Sequence, residues 1–90
     1  MKPESIDIPK DKLVKKILLK YKSEVFYKQE LTEKIKEKFN VDIKPHTVRY
    51  HADKLVKQEE DIERYKLGQN EGVVWGYSDS IEKVKKRFEL

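Results

Sequence analysis

The residues with the most chemistry to offer stand close together: Lys44, His46, Thr47, Arg49, Tyr50, Lys54 and Lys57. A guanidinium on the outer side of a helix can donate in pairs to guanine O6 and N7, which gives about 1 to 3 kcal/mol of discrimination between bases. Arg49 is placed for that contact. It can also sit solvated, paired with Asp53 one turn on, for roughly a few tenths of a kcal/mol. Asp53 in turn can orient Arg49 or accept from cytosine N4. Tyr50 can meet thymine methyls or a phosphate, or cover the hydrophobic rim. His46 can touch a base or a phosphate, and a protonated imidazole would bind the phosphate more tightly. Lys28, Lys44, Lys54 and Lys57 are phosphate candidates, each equally readable as a solvated lysine in a lysine-rich chain.

Other chemistries find no residues to carry them. His46 and His51 are five positions apart, which points them about 140° apart on a helix and argues against a shared metal site. His51 borders the inner face and reads as a satisfied structural histidine. The chain has no cysteine, so disulfides, thiolate metal sites and thiol catalysis are excluded. There is no phosphate-cradling glycine loop and no nucleophile elbow, and the carboxylates alternate with lysines as on solvated helix faces. The reading is therefore no enzyme, no cofactor, and no catalytic or metal-ligating residue. The longest apolar run, Ile17-Leu18-Leu19, is too short for a signal peptide or a membrane span, and the chain reads as cytoplasmic. A dominance of lysine with one methionine resembles the composition of proteins from heat-loving organisms.

The net charge of +4 favours a polyanionic partner, and its distribution says where. Between residues 44 and 57 the basic groups Lys44, Arg49, Lys54 and Lys57 face Asp53 alone. The next stretch, residues 58–71, reverses the sign with five acids against two bases. Positive charge is thus focused on one segment.

The elements that must position these groups follow from periodicity. With charged residues at 42% and apolar ones at 37%, the apolar positions must be concentrated on a few faces of one domain spanning residues 1–90. Leu13, Val14, Ile17, Leu18 and Tyr21 share a stripe at a 3.6-residue period, which predicts a first helix from Lys12 to Lys22. Residues 1–9 before it read as a flexible arm. Val25 to Tyr27 is a short β-prone run. Leu31, Ile35 and Phe39 predict a second helix from Gln29 to Phe39, with Asn40 as a left-handed cap. Pro45 suits the first turn of a third helix, residues 45–58, with Val48, Ala52, Leu55 and Val56 inward. Ile62 to Leu67 and Val73 to Tyr77 flank Gly68-Gln69-Asn70-Glu71-Gly72, a hairpin with a five-residue loop. Trp75 and Tyr77 share one strand face and read as core. Ser78-Asp79-Ser80 offers N-caps to a last helix, Ile81 to Phe88, whose Ile81, Val84 and Phe88 either close the core or pair with a second copy.

This order, with a short turn between the second and third helices, is that of a helix-turn-helix followed by a wing. Tyr27 to Leu67 resembles the winged helix-turn-helix superfamily, whose recognition helix carries a TV-x-x-H-L-x-x-L type signature. Here it stands as Thr47-Val48-Arg49-Tyr50-His51-Ala52-Asp53-Lys54-Leu55. The stretch QELTEKIKEKFNVDIKPHTV is similar to arginine-repressor-type domains, and Thr-Val-Arg-Tyr-His to winged domains of archaeal nitrogen-regulator repressors. Ala52 stands where leucine is usual, Tyr27 where a Ser or Thr cap is common, and Glu59-Glu60-Asp61 where glycine follows the third helix.

The resemblance implies an α+β, mostly helical fold: a three-helix core, a β-hairpin wing at residues 62–77 and a C-terminal helix. It implies a third helix in the major groove of duplex DNA, with Thr47, Arg49 and Tyr50 at the DNA surface and Val48 and Leu55 in the core. Gln69 and Asn70 at the wing tip complete the expected DNA-contacting set. Expected partners are double-stranded DNA, in a transcription-regulating role, and a second copy through the C-terminal helix. No small-molecule effector or membrane is expected. Two rival readings stand beside this one. The first is a protein-interaction winged helix docking through the acidic patch from Glu59 to Glu63 and the last helix. The second is a non-specific chromatin-like or nucleic-acid binder.

Overall fold

A computed structural model describes residues 9–68 and 72–88. The expected N-terminal arm, apart from Pro9, and the wing-tip residues Gln69 and Asn70 lie outside the described residues. The element order is α1 (Lys10–Lys20), β1 (Val25–Tyr27), α2 (Lys28–Phe39), α3 (Pro45–Gln58), β2 (Ile62–Gly68), β3 (Gly72–Tyr77) and α4 (Ser78–Phe88). The result is a mostly helical α+β fold, winged-helix-like, in which three helices precede a β-hairpin and a fourth helix follows it.

The apolar stripes meet as their periods require. Leu13, Val14, Ile17 and Leu18 of α1, Leu31 and Ile35 of α2, and Val48, Ala52 and Leu55 of α3 are buried in one cluster with Phe26, Ile43, Ile62 and Trp75. Each large side chain among them contributes about 1.5 to 3 kcal/mol on leaving water. Ala52 is fully buried, so the smaller residue at that signature position still faces the core. Leu19, off the stripe, is half exposed.

Helix α1 starts two residues before the expected Lys12 and α2 one residue before the expected Gln29, and three further boundaries differ for a tertiary reason. Helix α1 ends at Lys20, because Tyr21 leaves helical geometry and packs edge-on against Phe26 with ring centroids 6.0 Å apart. In the hairpin, Gly68 and Gly72 are themselves paired, so only residues 69–71 lie between the strands. Gly72 has φ +91, a conformation closed to most side chains, and its Cα faces the Tyr27 ring. Helix α4 starts at Ser78, three residues before Ile81, and its serines reach other elements. Ser78 Oγ donates to the Glu63 carboxylate at 2.8 Å, the Ser78 backbone N–H donates to the Asp61 carbonyl at 2.8 Å, and Ser80 Oγ donates to the Lys22 carbonyl. Both serines thereby tie α4 to other parts of the chain.

The sheet order is β1-β3-β2, all antiparallel, with Phe26 opposite Trp75 and Trp75 opposite Arg64. Side chains alternate across a strand, so Phe26, Trp75, Ile62 and Arg64 share the face that meets the helices. Val74 and Glu63 are on the other face, which α4 covers. Gly76 admits β1 at close range, since a Cβ there would stand 2.9 Å from Val25 Cγ1 and 3.0 Å from the Glu24 carbonyl oxygen.

Candidate nucleic-acid interface

The turn between α2 and α3 sets how α3 is presented. Asn40 takes φ 56, the left-handed cap that ends α2. Ile43 then plugs the turn into the core, and Lys44 starts α3 with Pro45 in the first turn, where its missing N–H costs nothing. The backbone N–H groups of Thr47 and Val48 both donate to the Lys44 carbonyl at 3.0 Å. With Val48, Ala52 and Leu55 anchored inward, helical geometry turns His46, Arg49, Tyr50, Asp53, Lys54 and Lys57 to the opposite side.

That side is open. His46, Arg49, Lys54 and Lys57 are exposed, Thr47 is half-buried, and Tyr50 is 60% exposed, high for a large aromatic. Tyr50 is held upright: the His51 ring meets it edge-on at 5.3 Å, and the Lys54 ammonium stands 5.6 Å from its centroid. Its ring and the Lys54 charge therefore form one outward projection. His51 departs from the expectation of a satisfied histidine. Its Nδ1 is buried with no hydrogen-bond partner among the described residues, and its ring meets that of Tyr50 edge-on.

Lys28 stands at the start of α2, half-buried, and its carbonyl accepts from Thr32 Oγ1 at 2.7 Å. The position before it, Tyr27, lacks a Ser or Thr hydroxyl, and the helix start is satisfied from the other direction: Glu30 Oε1 accepts from the Tyr27 N–H at 2.9 Å. A groove of about 370 Å³ separates this helix start from α3 and the wing root, with Lys28, Arg49 and Trp75 among its walls together with Glu30 and Glu33. Lys44, at the N-cap of α3, is exposed.

Asp53 is engaged more widely than an orienting partner for Arg49. Arg49 Nε stands 3.9 Å from Asp53 Oδ2, a loose ion pair. Asp53 Oδ1 accepts from Trp75 Nε1 at 3.0 Å and from Arg64 Nη1 at 3.2 Å. Trp75 belongs to the core as expected, but its N–H reaches α3, which sequence reasoning missed, and Arg64 was missed altogether. Parity along β2 carries the signal that could have found it. Ile62 and Arg64 share a face, and an arginine beside a buried isoleucine on a core-facing strand side needs a carboxylate within reach.

The acidic segment after α3 is dispersed by its surroundings. Glu59 pairs with Lys15 of α1 at 3.1 Å, and Glu63 turns to the α4 side of the sheet, 3.9 Å from Lys85. Neither faces the outer side of α3. Among the described residues no cluster of His, Asp or Glu could hold a metal ion, and no helix is long and apolar enough to cross a membrane. Comparisons of the chain with protein-family models, curated proteins and solved structures found no match.

Proposed function

We propose that the chain binds double-stranded DNA with sequence preference, in a transcription-regulating role, by placing the outer face of α3 in the major groove. The observation that carries this reading is the open, basic side of α3, presented by a helix-turn-helix packing and flanked by a hairpin. An α-helix of this diameter fits the major groove, and Arg49, His46 and Tyr50 project where base edges would lie. Lys28, Lys44, Lys54 and Lys57 supply the sequence-independent attraction to phosphates. The approach of Arg49 to Asp53 is made by Nε at 3.9 Å, too long for a hydrogen bond. That leaves the fork geometry that guanine recognition uses.

Selection from random duplexes, followed by titration of the recovered duplex at several salt concentrations, tests the reading. The expected result is a recovered preference, with log affinity falling linearly against log salt by about 0.9 per neutralised phosphate. Absence of binding at low salt refutes the reading. Binding without any recovered preference reduces it to a non-specific nucleic-acid binder.

A further inference from the structure

Asp53 collects two arginines from different elements on one carboxylate, and the tryptophan between them explains why it stays in place. Trp75 is 1% exposed, so its indole cannot reorient, and its N–H holds Asp53 Oδ1 at 3.0 Å. Arg64 of β2 is directly opposite Trp75 in the sheet register and reaches the same oxygen at 3.2 Å. Arg49 of α3 approaches the other oxygen at 3.9 Å. The three charged side chains keep much of their surface in solvent, at 48% for Arg49, 39% for Arg64 and 32% for Asp53.

Exposed ion pairs of this kind stabilise a fold little, so stability is a poor account of the arrangement. Two guanidiniums on one carboxylate leave an excess positive charge. Each guanidinium offers five N–H donors; Arg64 donates one to Asp53, whereas Arg49 at 3.9 Å makes an ion pair without a hydrogen bond. Arg49 from α3 and Arg64 from β2 thus approach one carboxylate from the helix side and the strand side.

We propose that Arg64 is a further DNA-contacting residue, joined to Arg49 through Asp53, and that Asp53 is a positioning residue that makes α3 and the wing strand engage a duplex as one unit. The inference rests on the DNA-binding reading above and adds to it. Arg64 takes a backbone phosphate beside the groove, a role suited to a bidentate donor. Asp53 costs some attraction for DNA by its own charge and returns selectivity by drawing Arg49 towards the wing side of α3. Removing that charge therefore separates affinity from selectivity.

Three variants test this on the full chain: Arg64→Gln, Arg64→Ala and Asp53→Asn. Circular dichroism and the emission of Trp75, the single tryptophan, report folding. Arg64→Gln keeps a donor for Asp53 while removing the charge, so it remains informative where Arg64→Ala is too unstable to use. Loss of Arg64 is expected to weaken binding to any duplex on the order of tenfold. It is also expected to lower the salt slope by about 0.9, which a purely structural role would leave unchanged. Asp53→Asn is expected to bind a scrambled duplex as well as or better than the original chain, while the ratio of preferred to scrambled affinity falls on the order of tenfold. An unchanged salt slope in both Arg64 variants overturns the assignment of Arg64. An equal gain for both duplexes in Asp53→Asn overturns the positioning role. Both outcomes leave the DNA-binding reading standing, whereas failure of the unmodified chain to bind DNA removes the two together.

Discussion

At the scale of single residues, the division of labour proposed for α3 separates two substitutions that remove the same charge. Arg49→Ala is expected to relax sequence preference by about 1 to 3 kcal/mol at the base it reads, whereas Lys54→Ala is expected to weaken all duplexes alike. Equal effects on preferred and scrambled duplexes in both variants would reject that division. Tyr77 makes a different prediction. Burial holds its hydroxyl above the ordinary tyrosine value of 10.0, with the Lys15 charge opposing in part. A neutral phenol favoured by the folded state means that this state keeps its proton longer than the unfolded chain does. The resulting stabilisation is present below the unfolded value and is lost as pH rises from there through the folded one. Tyr77→Phe should flatten the decline in thermal midpoint above about pH 10 relative to the original chain. Parallel declines in the two proteins would show that Tyr77 contributes nothing to it.

At the scale of elements, two close approaches determine whether α3 is presented correctly. Ile35 of α2 is fully buried in the cluster that includes Val48 of α3. Ile35→Ala is expected to cost about 2 to 5 kcal/mol in urea unfolding, because the site is walled by several elements and cannot collapse. The β1–β3 contact is the other. Gly76→Ala would drive a methyl against Val25 and the Glu24 carbonyl, and backbone cannot yield as a flexible side-chain end does. A destabilisation of roughly 1 to 3 kcal/mol is expected. A Gly76→Ala protein as stable as the original would mean that β1 shifts freely and does not position α2. The serines that begin α4 belong to the same scale, since their bonds to Asp61, Glu63 and Lys22 seat the helix on the sheet.

At the scale of the whole molecule, α4 closes the second face of the sheet with Ile81 and leaves Phe88 48% exposed and Val84 half-buried. We propose that a second copy covers this remainder, giving a two-fold arrangement suited to a symmetric duplex site. Sedimentation equilibrium should find a dimer that Phe88→Ser converts to monomer. A monomer at every concentration in the unmodified chain would end that idea without touching the interface on α3. The charge layout is also a property of the whole. The open side of α3 is basic, while Glu59 and Glu63 are paired with Lys15 and Lys85 away from it.

Much of this is legible in the sequence. The bounds of α3, the Asn40 cap, the strand runs and the inward faces follow from side-chain periods of 3.6 and 2 and from single-residue preferences at turns, all of which are local to a few neighbouring residues. The exposure of Arg49 and Tyr50 follows from the same geometry once Val48 and Leu55 point inward. Tertiary structure alone decided what Asp53 holds, where Tyr21 breaks α1, which carbonyls the α4 serines bind and which lysines neutralise the acidic segment. Tyr21 and Phe26 are only five residues apart, but they meet through the turn into β1; the other partners are distant along the chain, with 22 residues between Asp53 and Trp75 and 58 between Ser80 and Lys22. No periodicity carries across such a span, because the meeting depends on how strands register and helices cross, which is determined only when the whole core closes at once.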